Sequence, residues 1–183
     1  MWRSAVSHAQ LIGGQWLIVM QKAAEEKIRD WSLDTGEAIP PFVFLAHHNA
    51  LAGIDRYRHV RGIIVIGRTL PSPKDVERTA GILMGFAVEP CGEWYPGQMI
   101  TLHARSGSMA TVERDTHPDP LTAEILRQIC DDELMQIIGR GRGSNRSTAH
   151  PLEVVIYGSV PRPDLGARVA GLVAPSHRRP IAR

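Results

Sequence analysis

The sequence predicts an α/β domain built on a mainly parallel sheet, and three observations support this prediction. Short apolar segments alternate along the chain with segments rich in helix formers, which is the order of strand and helix units. The run Ile63–Ile66 is continuously apolar and β-branched, as expected for a central strand covered on both faces. With 183 residues, 43% of them hydrophobic and 22% charged, the chain has the size and composition of one globular domain.

Four segments of the first half begin this pattern. They are a strand at 15–20, a helix at 22–31, a strand at 42–46 and a strand at 61–67. The helix that follows the last of these strands has agreeing signals at both ends. Ser72 can cap its first turn, Pro73 suits the first helical position, and Gly85 suits the position just after its end.

The second half begins with a β-hairpin insertion, predicted for residues 88–115 from their short alternating segments. A helix then begins at 118–120. It carries apolar residues at helical spacing on one face: Leu121, Ile125 and Ile129. A second helix is expected to begin at Asp131 or Asp132, because an acidic run suits the positive end of the helix dipole.

The last strand is assigned to residues 151–157. The predicted domain therefore covers residues 15–160, preceded by an N-terminal segment at 1–14 to which no element is assigned. Residues 161–183 are rich in arginine, and we expect this basic tail to be disordered.

Composition and spacing exclude several classes of function. A net charge of +2 is too small to indicate nucleic-acid binding from the overall balance. Cys91 and Cys130 have no metal-binding spacing, so we expect reduced thiols in a cytoplasmic protein. His47 and His48 are adjacent and point to opposite faces of a strand, which makes a poor metal site. The run Trp16–Met20 is too short to cross a membrane, and no membrane partner is expected.

The most informative segment is Gln136–Arg146, where a glutamine and three arginines stand among glycines after a helix-like run. Arginine offers a charged, planar fork of donors that fits phosphate oxygens, and glycine lets backbone approach a ligand closely. Three interpretations remain open. The segment is an arginine finger acting on a transferred phosphoryl group, a loop that holds nucleic-acid backbone, or a solvated basic turn without a ligand.

Two segments resemble motifs of superfamily 2 helicases and occur in the same order. Gln136-x-x-Gly139-Arg140 is similar to motif VI, and Ala50–Asp55 is similar to motif V. Residues 15–160 also resemble the helicase portion of primase-helicase proteins from phages and integrated elements. The resemblance implies the second RecA-like lobe of an ATP-driven DNA helicase, a three-layer domain that closes on ATP bound to a first lobe.

The resemblance also implies roles for individual residues. It implies that the nucleotide, at the cleft between the lobes, is contacted by Gly53, Asp55, Gln136 and Gly139. It implies that the ATP phosphates are contacted by the catalytic residues Arg140, Arg142 and Arg146. It also implies that nucleic acid is contacted by Asn49, Arg56 and Arg68. The usual spacing of motif VI puts its second arginine at Gly143, so Arg142 or Arg146 takes that role here.

The chain contains no G-x-x-x-x-G-K-[ST] segment and no DExH-like acidic segment, the parts that hold triphosphate and magnesium. We therefore expect ATP and Mg²⁺ as cofactors only when a first lobe, in cis or in trans, completes the site. No ATPase activity is expected from the chain alone. The expected partners are that first lobe and nucleic acid, DNA rather than RNA. The alternatives are a non-catalytic nucleic-acid-binding or interaction module and a nonfunctional remnant of a mobile-element gene.

Overall fold

A four-stranded parallel sheet forms the centre of the structure, a computed structural model that describes residues 1–51, 53–103 and 109–158. Its strands are β1 (Trp16–Met20), β2 (Val43–His47), β3 (Gly62–Ile66) and β6 (Glu153–Tyr157), in the order β2-β1-β3-β6. β3 pairs with β1 on one side and with β6 on the other. Ile63, Ile64 and Val65 are at most 1% exposed, which confirms that this strand lies inside the sheet.

Helices cover both faces of the sheet. The α-helices of the described part of the chain are α1 (Trp2–Ile12), α2 (Lys22–Thr35), α3 (Pro73–Met84) and α4 (Pro120–Gly139). Trp16 and Ile18 of β1 pack in a cluster with residues of α1 and α2, whereas Leu17 packs in another cluster with Ile137 of α4. Alternate residues of a strand point to opposite faces, so α1 and α2 cover one face and α4 covers the other. This arrangement confirms the α/β prediction and is consistent with a RecA-like, three-layer layout.

α3 begins and ends where its end signals predict. The Ser72 hydroxyl accepts a hydrogen bond from the amide of Asp75, and Pro73 occupies the first turn. Gly85 ends the helix with a φ of 76°, a left-handed conformation that glycine adopts without strain. The helix packs against α4 in a third cluster that contains Val76 and Leu126.

The segment 1–14 contains a helix that the sequence did not reveal. α1 buries Ala5 and Ala9 completely, in the same cluster as Trp16. These residues lie four positions apart, so both occupy the helix face turned to the sheet. Alanine gives only a weak hydrophobic signal, and the pattern is therefore hard to recognise in the sequence.

The prediction of two helices between residues 118 and 139 was wrong, because α4 is continuous. Asp119 is its N-cap and accepts a hydrogen bond from the Thr122 amide. The acidic run at 131–133 therefore lies inside the helix, where Asp131 pairs with Arg127 one turn earlier. The buried face is also shifted by one position, since Leu126 is 2% exposed whereas Leu121 is 58% exposed.

β4 (Gly97–His103) and β5 (Met109–Asp115) pair antiparallel and confirm the predicted hairpin, which begins at Gly97 and not at residue 88. The hairpin belongs to a compact unit separate from the one formed by residues 1–96 and 116–158. The connection 104–108, Ala52 and the tail at 161–183 lie outside the described residues.

Neither Cys91 nor Cys130 forms a disulfide among the residues that the structure describes. None of the helices in the described part of the chain is long and apolar enough to cross a membrane.

Candidate functional site

Two of the three predicted catalytic arginines line a solvent-open pocket of about 400 Å³ beyond the end of α4. Its walls come from two parts of the chain, the turns at 48–60 after β2 and the loop at 140–146. The lining residues are Asp55, Arg58, His59, Arg142, Asn145 and Arg146. Three guanidinium groups thus accompany one carboxylate, and the resulting positive potential favours an anion.

Buried side chains hold the turns that follow β2 in place. Leu51, Tyr57 and Val60 are at most 3% exposed and lie in the same cluster as residues of β1 and β3. Backbone hydrogen bonds from Ile54 to Leu51 and from Val60 to Tyr57 close turns between these anchors. Asp55 lies between them and is exposed. Packing therefore fixes the backbone while leaving the carboxylate accessible.

The loop at 140–146 is positioned by the end of α4. Ile137 is completely buried, and the chain then turns so that Arg142 adopts a φ of 52°, which is uncommon for a residue with a side chain. A Cβ at Gly141 would lie 2.6 Å from the Leu152 side chain. A Cβ at Gly139 would meet no atom within 4 Å. Gly141 thus serves close packing inside the protein, whereas Gly139 has open space beside it.

Arg142 forms an ion pair with Asp55 at the pocket. Its Nε and Nη2 donate to the same carboxylate oxygen, Oδ1, at 3.1 and 2.7 Å. The hydrogen bond from Arg142 lowers the pKa of Asp55, and the charges of Arg58 and Arg140 contribute in the same direction. Both side chains of the pair are about half exposed. Such a pair is screened by salt and contributes little to stability.

Arg146 is held by the protein backbone instead. Its Nε donates to the carbonyl of Gly141 at 2.8 Å. Its Nη2 donates to the carbonyls of Arg58 and Val60, at 3.0 and 2.6 Å. This side chain therefore ties the loop to the residues that precede β3, and it forms a fixed wall of the pocket.

Arg140 and the two predicted nucleotide-binding residues of α4 do not line the pocket. The Nε of Arg140 is buried and has no hydrogen-bond partner among the described residues. Its charge nevertheless reaches the pocket, because it lowers the pKa of Asp55. Gln136 and Gly139 lie in the last turn of α4 and are exposed. The dipole of a helix favours positive charge just beyond its C-terminus. The position of Arg140 at the end of α4 is therefore favourable even without a ligand.

Two predicted residues near Asp55 adopt left-handed backbone conformations. Gly53 has a φ of 72°, and a Cβ there would meet no atom within 4 Å. Glycine at this position is therefore required by conformation, not by lack of space. Asn49 has a φ of 64°, and its amide donates to Oε1 of Glu133 at 2.6 Å. That hydrogen bond ties the end of β2 to α4.

Arg56 and Arg68, both predicted to contact nucleic acid, also lie outside the pocket lining. The guanidinium of Arg56 lies 4.8 Å from the centroid of the Tyr57 ring and forms a cation–π contact. Arg68 follows β3, and its carbonyl accepts a hydrogen bond from Nε2 of Gln21 at 3.3 Å.

Three lining residues had no role assigned from the sequence: Arg58, His59 and Asn145. Nε of Arg58 donates to Nε2 of His59 at 2.9 Å. The basic residues that follow Asp55 are the signal that could have identified Arg58 and His59. Asn145 is recognisable only from the structure, because the short 3₁₀ helix Gly143–Asn145 places it beside the arginines.

A second cluster, Glu77, Cys91 and His117, brings its N, O and S atoms within 4.8 Å of one another. The amide of Asp119 donates to Nδ1 of His117 at 3.0 Å, so Nδ1 is an acceptor and a ring proton lies on Nε2. That nitrogen faces Glu77 at 3.4 Å. A metal ion bound at this nitrogen would need the lone pair that the proton occupies. The cluster is therefore a hydrogen-bonded arrangement around the Glu77 carboxylate.

Of the residues predicted to form the site, the structure brings Asp55, Arg142 and Arg146 together in one pocket. This pocket can hold an anion by charge and by hydrogen bonds, and the described residues around it include no phosphate loop. No protein-family model matches the chain, and no curated protein or solved structure matches it either.

Proposed function

We propose that the chain is the second lobe of a two-lobed, ATP-driven DNA helicase, and that its arginine pocket receives phosphates of a nucleotide held by a first lobe. The observation that carries this proposal is the Arg142–Asp55 contact. It joins residues 87 positions apart, one in each segment that resembles a helicase motif. The two segments thereby meet at one open pocket of positive charge.

The geometry supports different roles for the three arginines. Arg142 is about half exposed, and among the described residues its guanidinium is bound only to the exposed carboxylate of Asp55, so it can turn to a ligand. Arg146 donates to three backbone carbonyls, which suits a residue that shapes the site. Arg142 is therefore our candidate for the arginine finger. Arg140 supplies charge close to it.

The remaining residues complete the proposal. Gly53, Gln136 and Gly139 are exposed and would approach the nucleotide when a first lobe closes on this one. Nucleic acid would be contacted by Asn49, Arg56 and Arg68. ATP and Mg²⁺ would be held mainly by the first lobe, whose phosphate loop and acidic segment this sequence lacks.

Binding of inorganic tripolyphosphate tests the pocket without a first lobe. Calorimetric titration of the wild type is compared with Arg142→Ala and with Arg78→Ala, which removes another exposed arginine of an Arg–Asp pair. We expect the first variant to bind about tenfold more weakly, because it loses a charge-assisted contact. The second should bind like the wild type. Equal binding by all three proteins would contradict the phosphate role of Arg142.

The motor itself is tested by adding a phosphate-loop protein encoded beside this chain. We expect DNA-stimulated ATP hydrolysis by the mixture, none by either component, and its loss with Arg142→Ala. A titration with a single-stranded oligonucleotide identifies the main alternative. Oligonucleotide binding that depends on Arg142, together with no tripolyphosphate binding and no ATP hydrolysis, would favour a non-catalytic nucleic-acid-binding module.

A further inference from the structure

Asp55 places a negative charge in a pocket whose other charged residues are arginines. Its Oδ1 accepts from both Nε and Nη2 of Arg142, the side of the guanidinium that presents two parallel donors. Phosphate oxygens take these same donors when they bind arginine. The carboxylate thus occupies the position that a phosphate ligand of Arg142 would need.

The ion pair is built so that it can be exchanged. Both partners are about half exposed, and exposed pairs of this kind are weak and screened by salt. The neighbouring Arg146 is fixed by backbone carbonyls and stays in place whatever Arg142 does. Asp55 also stays ionised near neutral pH, since the arginines around it lower its pKa. Arg142 is therefore a movable arginine whose internal partner stays charged.

From this geometry we infer that Asp55 competes with a bound phosphate group for Arg142, so that it weakens phosphate binding by the lone lobe and is displaced when phosphate enters. This inference rests on the proposed function. If the Arg142–Asp55 contact served only to tie the two segments together, removing it would loosen Arg142. Phosphate binding would then be unchanged or weaker, whereas competition predicts tighter binding.

The test compares neutral and charged residues at position 55 in the full chain. Asp55→Asn keeps the shape and removes the charge, Asp55→Ser is a second neutral variant, and Asp55→Glu keeps the carboxylate. Asp30→Asn removes a charge from an exposed position on α2 and controls for net charge. Binding of tripolyphosphate and of a single-stranded oligonucleotide is titrated at low salt, and circular dichroism checks the fold of each variant.

We expect both neutral variants to bind tripolyphosphate roughly two- to fivefold more tightly than the wild type, in the range of a weak exposed ion pair. Asp55→Glu keeps the competing charge and should bind more weakly than the two neutral variants, and Asp30→Asn should bind like the wild type. Tighter binding of the oligonucleotide alone would support the competition but place it at nucleic-acid phosphates, contradicting the proposed nucleotide role. Unchanged or weaker binding of both anions by the neutral variants would overturn the inference, while measurable wild-type tripolyphosphate binding would leave the proposed function standing.

Discussion

Arg140, Arg142 and Arg146 belong to one loop, yet their guanidinium groups have three different environments. Arg140 has a buried Nε without a partner among the described residues. Arg142 pairs with an exposed carboxylate, and Arg146 donates to three backbone carbonyls. Their chemistry is identical in the sequence, so only their surroundings separate a structural role from a ligand-binding one. Stability measurements can detect that difference directly.

We predict that Arg146→Ala lowers the free energy of unfolding by about 1.5–3 kcal/mol, the range for hydrogen bonds made by a charged group. The substitution leaves carbonyls of Gly141, Arg58 and Val60 without their donor. Arg142→Ala should leave the free energy of unfolding nearly unchanged, because it removes only an exposed pair. Urea denaturation measures both values. A larger loss for Arg142→Ala than for Arg146→Ala would reverse the assigned roles.

The glycines of the loop also differ in function. Gly141→Ala should destabilise the protein by about 1–3 kcal/mol, because its Cβ would overpack the site beside Leu152 and Ile63. Gly139→Ala should be neutral or stabilise by up to about 1 kcal/mol, since alanine favours a helix and the space there is open. Thermal and urea unfolding of the pair test this contrast. Equal effects would mean that the loop rearranges to accept a side chain.

Glu77 connects three elements through its carboxylate. It lies on α3, accepts a hydrogen bond from the Cys91 amide in the following loop, and faces His117 just before α4. Only 12% of its side chain is exposed. Burial by itself would raise its pKa, but the hydrogen bonds from Cys91 and His117 lower it overall. The folded state therefore favours the ionised form.

This lowered pKa predicts how stability depends on acid. The contribution of Glu77 should be complete above its ordinary pKa of 4.5 and should be lost as the pH falls through its lower value in the folded protein. Glu77→Gln should therefore be less stable than the wild type near neutral pH, and the gap should narrow in acid. Urea unfolding across this pH range measures the gap, with the exposed Glu26→Gln as control. A gap that widens in acid would contradict the assigned direction.

α4 illustrates what pattern analysis misses at the scale of an element. Its start at Pro120 was expected, but the acidic run at 131–133 suggested a second start. Both carboxylates instead lie inside a continuous helix and have partners. Glu133 accepts a hydrogen bond from the Asn49 amide after β2, and Asp131 pairs with Arg127 of the same helix. The first contact is long-range and has no signal in the local sequence.

At the scale of the whole molecule, the missing phosphate loop predicts the enzymology of the chain alone. Purified protein should hydrolyse ATP at background rate, with or without single-stranded DNA, because its sequence contains no segment that would hold triphosphate and magnesium. A coupled ATPase assay measures this rate. Steady turnover that survives a second purification and disappears when Arg140 is substituted would overturn the prediction.

Local sequence patterns predict most of the layers of this protein and the segments from which its pocket is built. The apolar run of β3, the caps of α3 and the alternation that marks the hairpin are local patterns, and local patterns suffice for such elements. The strand order, the packing of α1 and the continuity of α4 are known only from the folded structure. The structure also shows that Arg58 joins the pocket, that Arg142 meets Asp55 and that Arg146 turns to the backbone. These last three outcomes depend on contacts between residues 86 to 88 positions apart, and no periodicity in the sequence records which partners such distant groups will find.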